Sequence, residues 1–130
     1  MPLFNPETLT SSDASAGIGY GTGAGGASTQ STDKSTTVVA TPNPSVCGSI
    51  TMNNAALNAG VIVSFTFTNS AINGTDVLVL NHISGGTVGS YGLNAQCGAG
   101  SATINVRNNT AGNLSEAIVL QYALIRAVNA

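Results

Sequence analysis

The sequence predicts an all-β fold: an antiparallel β-sandwich or jelly roll of about seven or eight strands, preceded by an extended N-terminal arm. Three observations carry this reading. Apolar residues recur at every second position, as at Val61, Val63, Phe65 and Phe67, the spacing of a strand with one buried face. Clusters of Gly, Asn and Pro punctuate the chain at short intervals. Helical spacing never extends beyond a single turn. With 130 residues and a hydrophobic fraction of 42%, the chain is large enough for one domain with its own core.

The first unit, residues 1–35, is the arm. It holds Pro2, Pro6 and the run Gly17-Ile18-Gly19-Tyr20-Gly21-Thr22-Gly23-Ala24-Gly25-Gly26. Large apolar side chains are sparse there: Leu3, Phe4, Leu9, Ile18 and Tyr20. Such a segment buries too little surface to offset its ordering entropy, so it is expected to order only against another protein surface. Residues 36–130 form the sandwich domain. Strands are expected over 36–41, 47–52, 61–68, 76–82, 88–97, 102–107 and 118–125. A single helical turn is expected over Asn53–Gly60, with Asn53 or Asn54 as its cap and Gly60 as its end. Turns fall at Pro42-Asn43-Pro44, Asn73-Gly74, Ser84-Gly85-Gly86, Gly98-Ala99-Gly100 and Asn108–Asn113.

The faces of these strands are unequal. Val63, Phe65 and Phe67 alternate with Ser64, Thr66 and Thr68, and Ala102, Ile104 and Val106 alternate with Thr103, Asn105 and Arg107. The last strand differs, because Ile118, Leu120, Tyr122 and Leu124 alternate with Val119, Gln121, Ala123 and Ile125. It asks for burial on both sides, and a neighbouring subunit is the expected second layer. Edge strands with so few charges also lack the protection that normally discourages edge pairing.

Composition excludes several functions. Charged residues are 6% of the chain, against about 25% in an ordinary domain. Three Lys+Arg and a net charge of −2 argue against nucleic acid and against an anionic membrane surface as partners. No apolar run approaches the ~18 residues of a membrane span, and Met1 is not followed by a basic and then an apolar region, so synthesis in the cytoplasm is expected.

No catalytic, cofactor or metal site is expected. His82 stands alone as the single histidine, without a Gly-x-Ser-x-Gly turn, and reads as a strand-end surface residue. The acids Glu7, Asp13, Asp33, Asp76 and Glu116 are scattered, which argues against a glycosidase pair. Cys47 and Cys97 lack metal-ligand spacing. Joined, they would close a long loop worth ~3–4 kcal/mol; a cytosolic compartment favours two free thiols. Gly21-x-Gly23-x-x-Gly26 matches a dinucleotide-binding pattern in form, but no βαβ unit surrounds it, and it reads as a flexible link. Three Asn-x-Ser/Thr sequons read as turn asparagines.

Three stretches carry a family resemblance: Cys47-Gly48-Ser49-Ile50-Thr51-Met52-Asn53-Asn54-Ala55-Ala56-Leu57, Val63-Ser64-Phe65-Thr66-Phe67-Thr68-Asn69-Ser70, and Ile104–Ala117 with its Arg107-Asn108-Asn109-Thr110-Ala111-Gly112-Asn113 core. From about Gly17 onward the chain resembles small bacteriophage and prophage virion proteins; residues 1–16 lie outside the likeness. The resemblance implies a structural β-sandwich, not an enzyme, and a capsid decoration (cement) protein on the outer shell of the virion. Its partners would be the major capsid protein and further copies of itself, as a trimer ahead of a dimer. Leu3, Phe4, Leu9, Ile18 and Tyr20 would then anchor the arm, and Val119, Ala123, Ile125, Arg107 and Arg126 would form the subunit interface. The alternative is a tail or head fibre module that binds a host-surface glycan, against which the lack of Trp weighs. A polysaccharide hydrolase is a third class, disfavoured by the lone histidine.

Overall fold

A computed structural model describes residues 12–130. The protein is all-β, with eight strands in two four-stranded sheets and no helix among the described residues. The strands are β1 (Gly25–Thr29), β2 (Val38–Val39), β3 (Cys47–Thr51), β4 (Ile62–Thr68), β5 (Val77–Ser84), β6 (Tyr91–Gly98), β7 (Ser101–Asn108) and β8 (Val119–Ile125). One sheet runs β1-β3-β8-β5 and the other β2-β4-β7-β6. The chain steps between layers at nearly every connection, and only the β6–β7 hairpin stays in one sheet. Gly100 closes that hairpin at φ +78°, a backbone region that favours glycine.

The core lies between the layers and follows the alternation read from the sequence. Phe65 and Phe67 of β4, Ala102, Ile104 and Val106 of β7, and Leu120, Tyr122 and Leu124 of β8 are all buried. Phe67 and Tyr122 meet edge to face across the gap, with ring centroids 4.8 Å apart. Val61 falls just before β4 and is exposed, so the inward row of that strand begins at Val63.

Three expectations change. Residues 25–29 were expected within the arm, yet they form β1. The pairing is possible because Gly26 and Gly48 sit opposite each other in the register. A Cβ on Gly48, whose φ is +149°, would overlap the Gly26 carbonyl, and one on Gly26 would overlap the Thr41 carbonyl. These glycines allow close approach and do not act as a flexible link. Secondly, β1–β3 and β2–β4 pair in parallel, so the sandwich is not antiparallel throughout. Thirdly, residues 53–60 form no helical turn. Leu57 instead makes a bridge to Leu114, with Leu57 N donating to Leu114 O at 2.7 Å. A buried position for Leu57 outweighs the weak local preference of so short a segment.

Buried amides do much of the work that charges do elsewhere. Gln30 donates to the carbonyls of Lys34 and Thr36 and accepts from Asn53 N, pinning the 30–36 turn to the end of β3. Asn69 holds Ser45 in the same two-way manner, and Asn108 ties Leu57, Thr110 and Gly112 together. Each satisfies backbone groups that would otherwise be buried without partners.

Candidate functional site

Several of the expected anchoring and interface residues converge on one end of the β1-β3-β8-β5 sheet. The leader preceding β1 crosses there, and the Tyr20 hydroxyl donates to the Leu124 carbonyl. Ile18, Tyr20, Gln121, Ala123, Ile125 and Arg126 line a groove of about 540 Å³ beneath it. Ile125 pairs with Val77 and Ala123 with Val79, which carries the apolar outer face onto β5. Val77 and Val79 are 50% and 45% exposed, so this face is an unusual run of solvent-facing aliphatic side chains on a single sheet.

The remaining expected residues fall elsewhere. Val119 lies at the opposite end of β8, half-buried between Thr51 and Ser84. Arg107 belongs to β7 in the other sheet, beside Ile62, Leu93 and Asn94, and cannot share a face with Ile125. Arg126 is already engaged: it forms an ion pair with the buried Asp76 and donates to the Ala71 carbonyl at 2.6 Å. Asp76 in turn accepts from Asn73 N at 2.8 Å, so Arg126 locks the turn before β5. Leu3, Phe4 and Leu9 lie outside the described residues.

A second concave region lies where β5 passes into β6. A cleft of about 410 Å³ is lined by Leu80, His82, Val88, Tyr91 and Leu93 among others. The Tyr91 hydroxyl donates to Glu116 Oε1 at 2.7 Å, and Thr87 donates to the same carboxylate through its backbone N–H and its hydroxyl. The bonds from Tyr91 and Thr87 hold the Glu116 carboxyl below the usual carboxylate range. Burial, followed by its bond to Glu116, pushes the Tyr91 hydroxyl well above its ordinary value. His82 stacks edge to face on Tyr91, with ring centroids 5.6 Å apart, and its Nε2 lies 2.6 Å from the Gly85 carbonyl. The chemistry assembled here is that of a clasp on the 84–90 loop, since the carboxylate, hydroxyls and ring are spent on one another and on the backbone.

Sequence reasoning separated His82, Tyr91 and Glu116 because they lie on different elements. The available signal was the Gly85-Gly86 turn, which folds the chain back and brings Thr87 against Glu116. It also missed Lys34, the one lysine, which is 3% exposed. Its ammonium donates to the carbonyls of Asn53 and, at 2.7 Å, of Glu116, and burial pushes its pKa down.

Cys47 and Cys97 are free thiols, one in each sheet, and burial raises the Cys97 thiol. Among the described residues, no three His, Cys, Asp or Glu side chains converge in a way that would hold a metal ion. Compared with known proteins, the chain matches no family model, no curated protein and no solved structure.

Proposed function

We propose that this protein is a structural component of a bacteriophage virion. In this reading it is a capsid decoration protein that binds the major capsid protein on the outer shell, works in several copies and stabilises the particle. One observation carries the reading furthest. A β-sandwich nearly bare of charge sends a Gly-rich leader, with Ile18 and Tyr20, across an exposed aliphatic sheet face. Such a face is suited to holding still against neighbouring protein. The leader beyond it, with Leu3, Phe4 and Leu9, is the segment that grips the shell. Each contact is small, and many symmetric copies add their effects on one particle.

The test uses intact particles. Removing residues 1–16 is expected to leave a chain with the circular dichroism of the full protein that no longer decorates the shell; full occupancy by the shortened chain refutes the anchor. Particles lacking the protein are expected to burst at lower temperature than complete ones, and coincident bursting curves refute stabilisation. Antibody label on the tail or fibres, with a bare shell, replaces the decoration role with that of a fibre module.

A further inference from the structure

One turn that the sequence marks lies outside both concave regions. Asn73-Gly74 is the only Asn-Gly pair in the chain. It opens the turn before β5, in which Asp76 N donates to the Asn73 carbonyl at 3.1 Å and Gly74 and Thr75 take the two central positions. Both Asn73 and Gly74 are exposed. Among the described residues, neither the Asn73 side chain nor the Gly74 N–H has a hydrogen-bond partner. A Cβ on Gly74 would meet nothing within 4 Å, so no neighbour crowds the turn. We propose that this turn is a site of spontaneous covalent modification, at which the Gly74 nitrogen closes on the Asn73 side chain and converts a neutral amide into a carboxylate beside Asp76 and Arg126.

The step needs only solvent. Hydroxide takes the Gly74 amide proton, the nitrogen attacks Asn73 Cγ, and ammonia leaves as a five-membered cyclic imide closes. Water then opens the imide at one of its two carbonyls, giving aspartate or isoaspartate. A glycine nitrogen is the least shielded for this attack, because no Cβ stands beside it. The fold holds back the same reaction elsewhere. After Asn54, Asn58, Asn69, Asn108 and Asn113 the following amide is already hydrogen-bonded, to Asn53 Oδ1, Asn113 Oδ1, Asn43 Oδ1, the Ser90 carbonyl and the Leu57 carbonyl respectively. Asn43 precedes a proline, which has no N–H. The neighbours give the product its effect. Asn73 N donates to Asp76 Oδ2 at 2.8 Å, and the same oxygen pairs with Arg126. A carboxylate at position 73 sets a second negative charge beside one guanidinium. Isoaspartate also inserts a methylene into the backbone and turns the Asn73 carbonyl into a free carboxylate off the main chain. Thr75 Oγ1 donates to the Ala127 carbonyl, and Arg126 lines the groove under the leader, so the turn and the end of β8 loosen together. This chemistry does not depend on the virion reading.

The full chain is held in warm, mildly alkaline buffer beside a synthetic peptide of residues 71–77, and both are mapped by mass spectrometry. A gain of one dalton, from exchange of NH for O, is expected at Asn73, with isoaspartate in the product and a rate within several-fold of the free peptide. A position 73 that keeps its amide after the peptide has converted overturns the proposal, as does faster conversion at any other asparagine. Asn73→Gln would need a six-membered ring, and the methyl of Gly74→Ala meets open space. Both variants are expected to keep the wild-type circular dichroism and to convert several-fold more slowly; a folded Gly74→Ala chain that converts at the wild-type rate overturns the part given to Gly74. The aged chain, separated as the more acidic component by anion exchange, is expected to lose amide protection at residues 73–77 and 125–127 while β1 and β3 keep theirs. Unchanged protection at the turn refutes the coupling to Arg126.

Discussion

The two flanks of the sandwich are closed by different means. On the β1/β2 side the chain wraps its own edge. Ala27 N donates to the Thr41 carbonyl, Thr41 N donates to the Ser28 hydroxyl, and the Gly26–Gly48 pair lets these backbones touch. Buried Gln30 and Lys34 then fasten the following turn. On the β5/β6 side the two edge strands approach each other, and the 84–90 loop between them is held by Thr87 and the half-buried Tyr91 and Glu116. Backbone close-packing closes one flank, whereas approach of the two edge strands and side-chain hydrogen bonds on the 84–90 loop close the other. With 6% charged residues, the chain covers its β1 edge with its own backbone instead of guarding it with charge.

The contrast yields a ranked set of expectations. Phe65→Ala calibrates the shared core: Phe65 is 2% exposed, and its loss is expected to cost ~3–5 kcal/mol in urea unfolding. A change below ~1 kcal/mol would place the inside face wrongly. Gly48→Ala tests the sealed flank. Its methyl would overlap the Gly26 carbonyl at a positive φ, and a loss of ~2–3 kcal/mol is expected. The same substitution at exposed Gly89, on the 84–90 loop, meets no atom within 4 Å and bears only the backbone strain of φ +79°, ~1 kcal/mol. Equal losses at the two sites would erase the distinction between the flanks.

Lys34→Met keeps most of the buried stem but strips a donor from the carbonyls of Asn53 and Glu116. Two carbonyls left wanting predict ~1–3 kcal/mol of destabilisation, read by thermal unfolding. The smallest effect belongs to the β5/β6 flank and depends on pH. The Glu116 carboxyl is held below its ordinary 4.5, so its contribution is full above that value and fades as the pH falls below it. Protection of the 84–90 amides, taken relative to the intrinsic exchange rate at each pH, is expected to fall on acidification, while protection in β1 and β3 stays flat. Tyr91→Phe removes the largest cause of the shift and is expected to reduce the acid response. At the alkaline end the Tyr91 hydroxyl is raised above its ordinary 10.0, so its contribution is present below that pH and is lost as the pH climbs past it.

Much of the architecture was legible in the residues themselves. The inward rows of β4, β7 and β8 follow directly from an alternation of two, which depends on nothing beyond the strand that carries it. Asn108 and Gly98-Ala99-Gly100 were readable as turn positions; that the latter closes a hairpin within one sheet was seen only in the fold. The candidate faces were legible only in pieces. Ile18, Tyr20, Ala123 and Ile125 were singled out separately, and the sequence offered no way to see that one groove gathers them while Arg107 points from the other sheet.

Local pattern by itself determined that this chain would be all-β, which side of each long strand would face inward, and that few charges would mark its surface. Tertiary structure alone decided that a glycine-rich stretch would dock in parallel on β3, that Arg126 would be consumed by Asp76, and that β5 and β6 would meet at one flank. The physical reason is range. Periodicity is written over neighbouring residues, whereas edge coverage and close backbone approach depend on segments 13 to 104 positions apart, whose meeting no short window of sequence records.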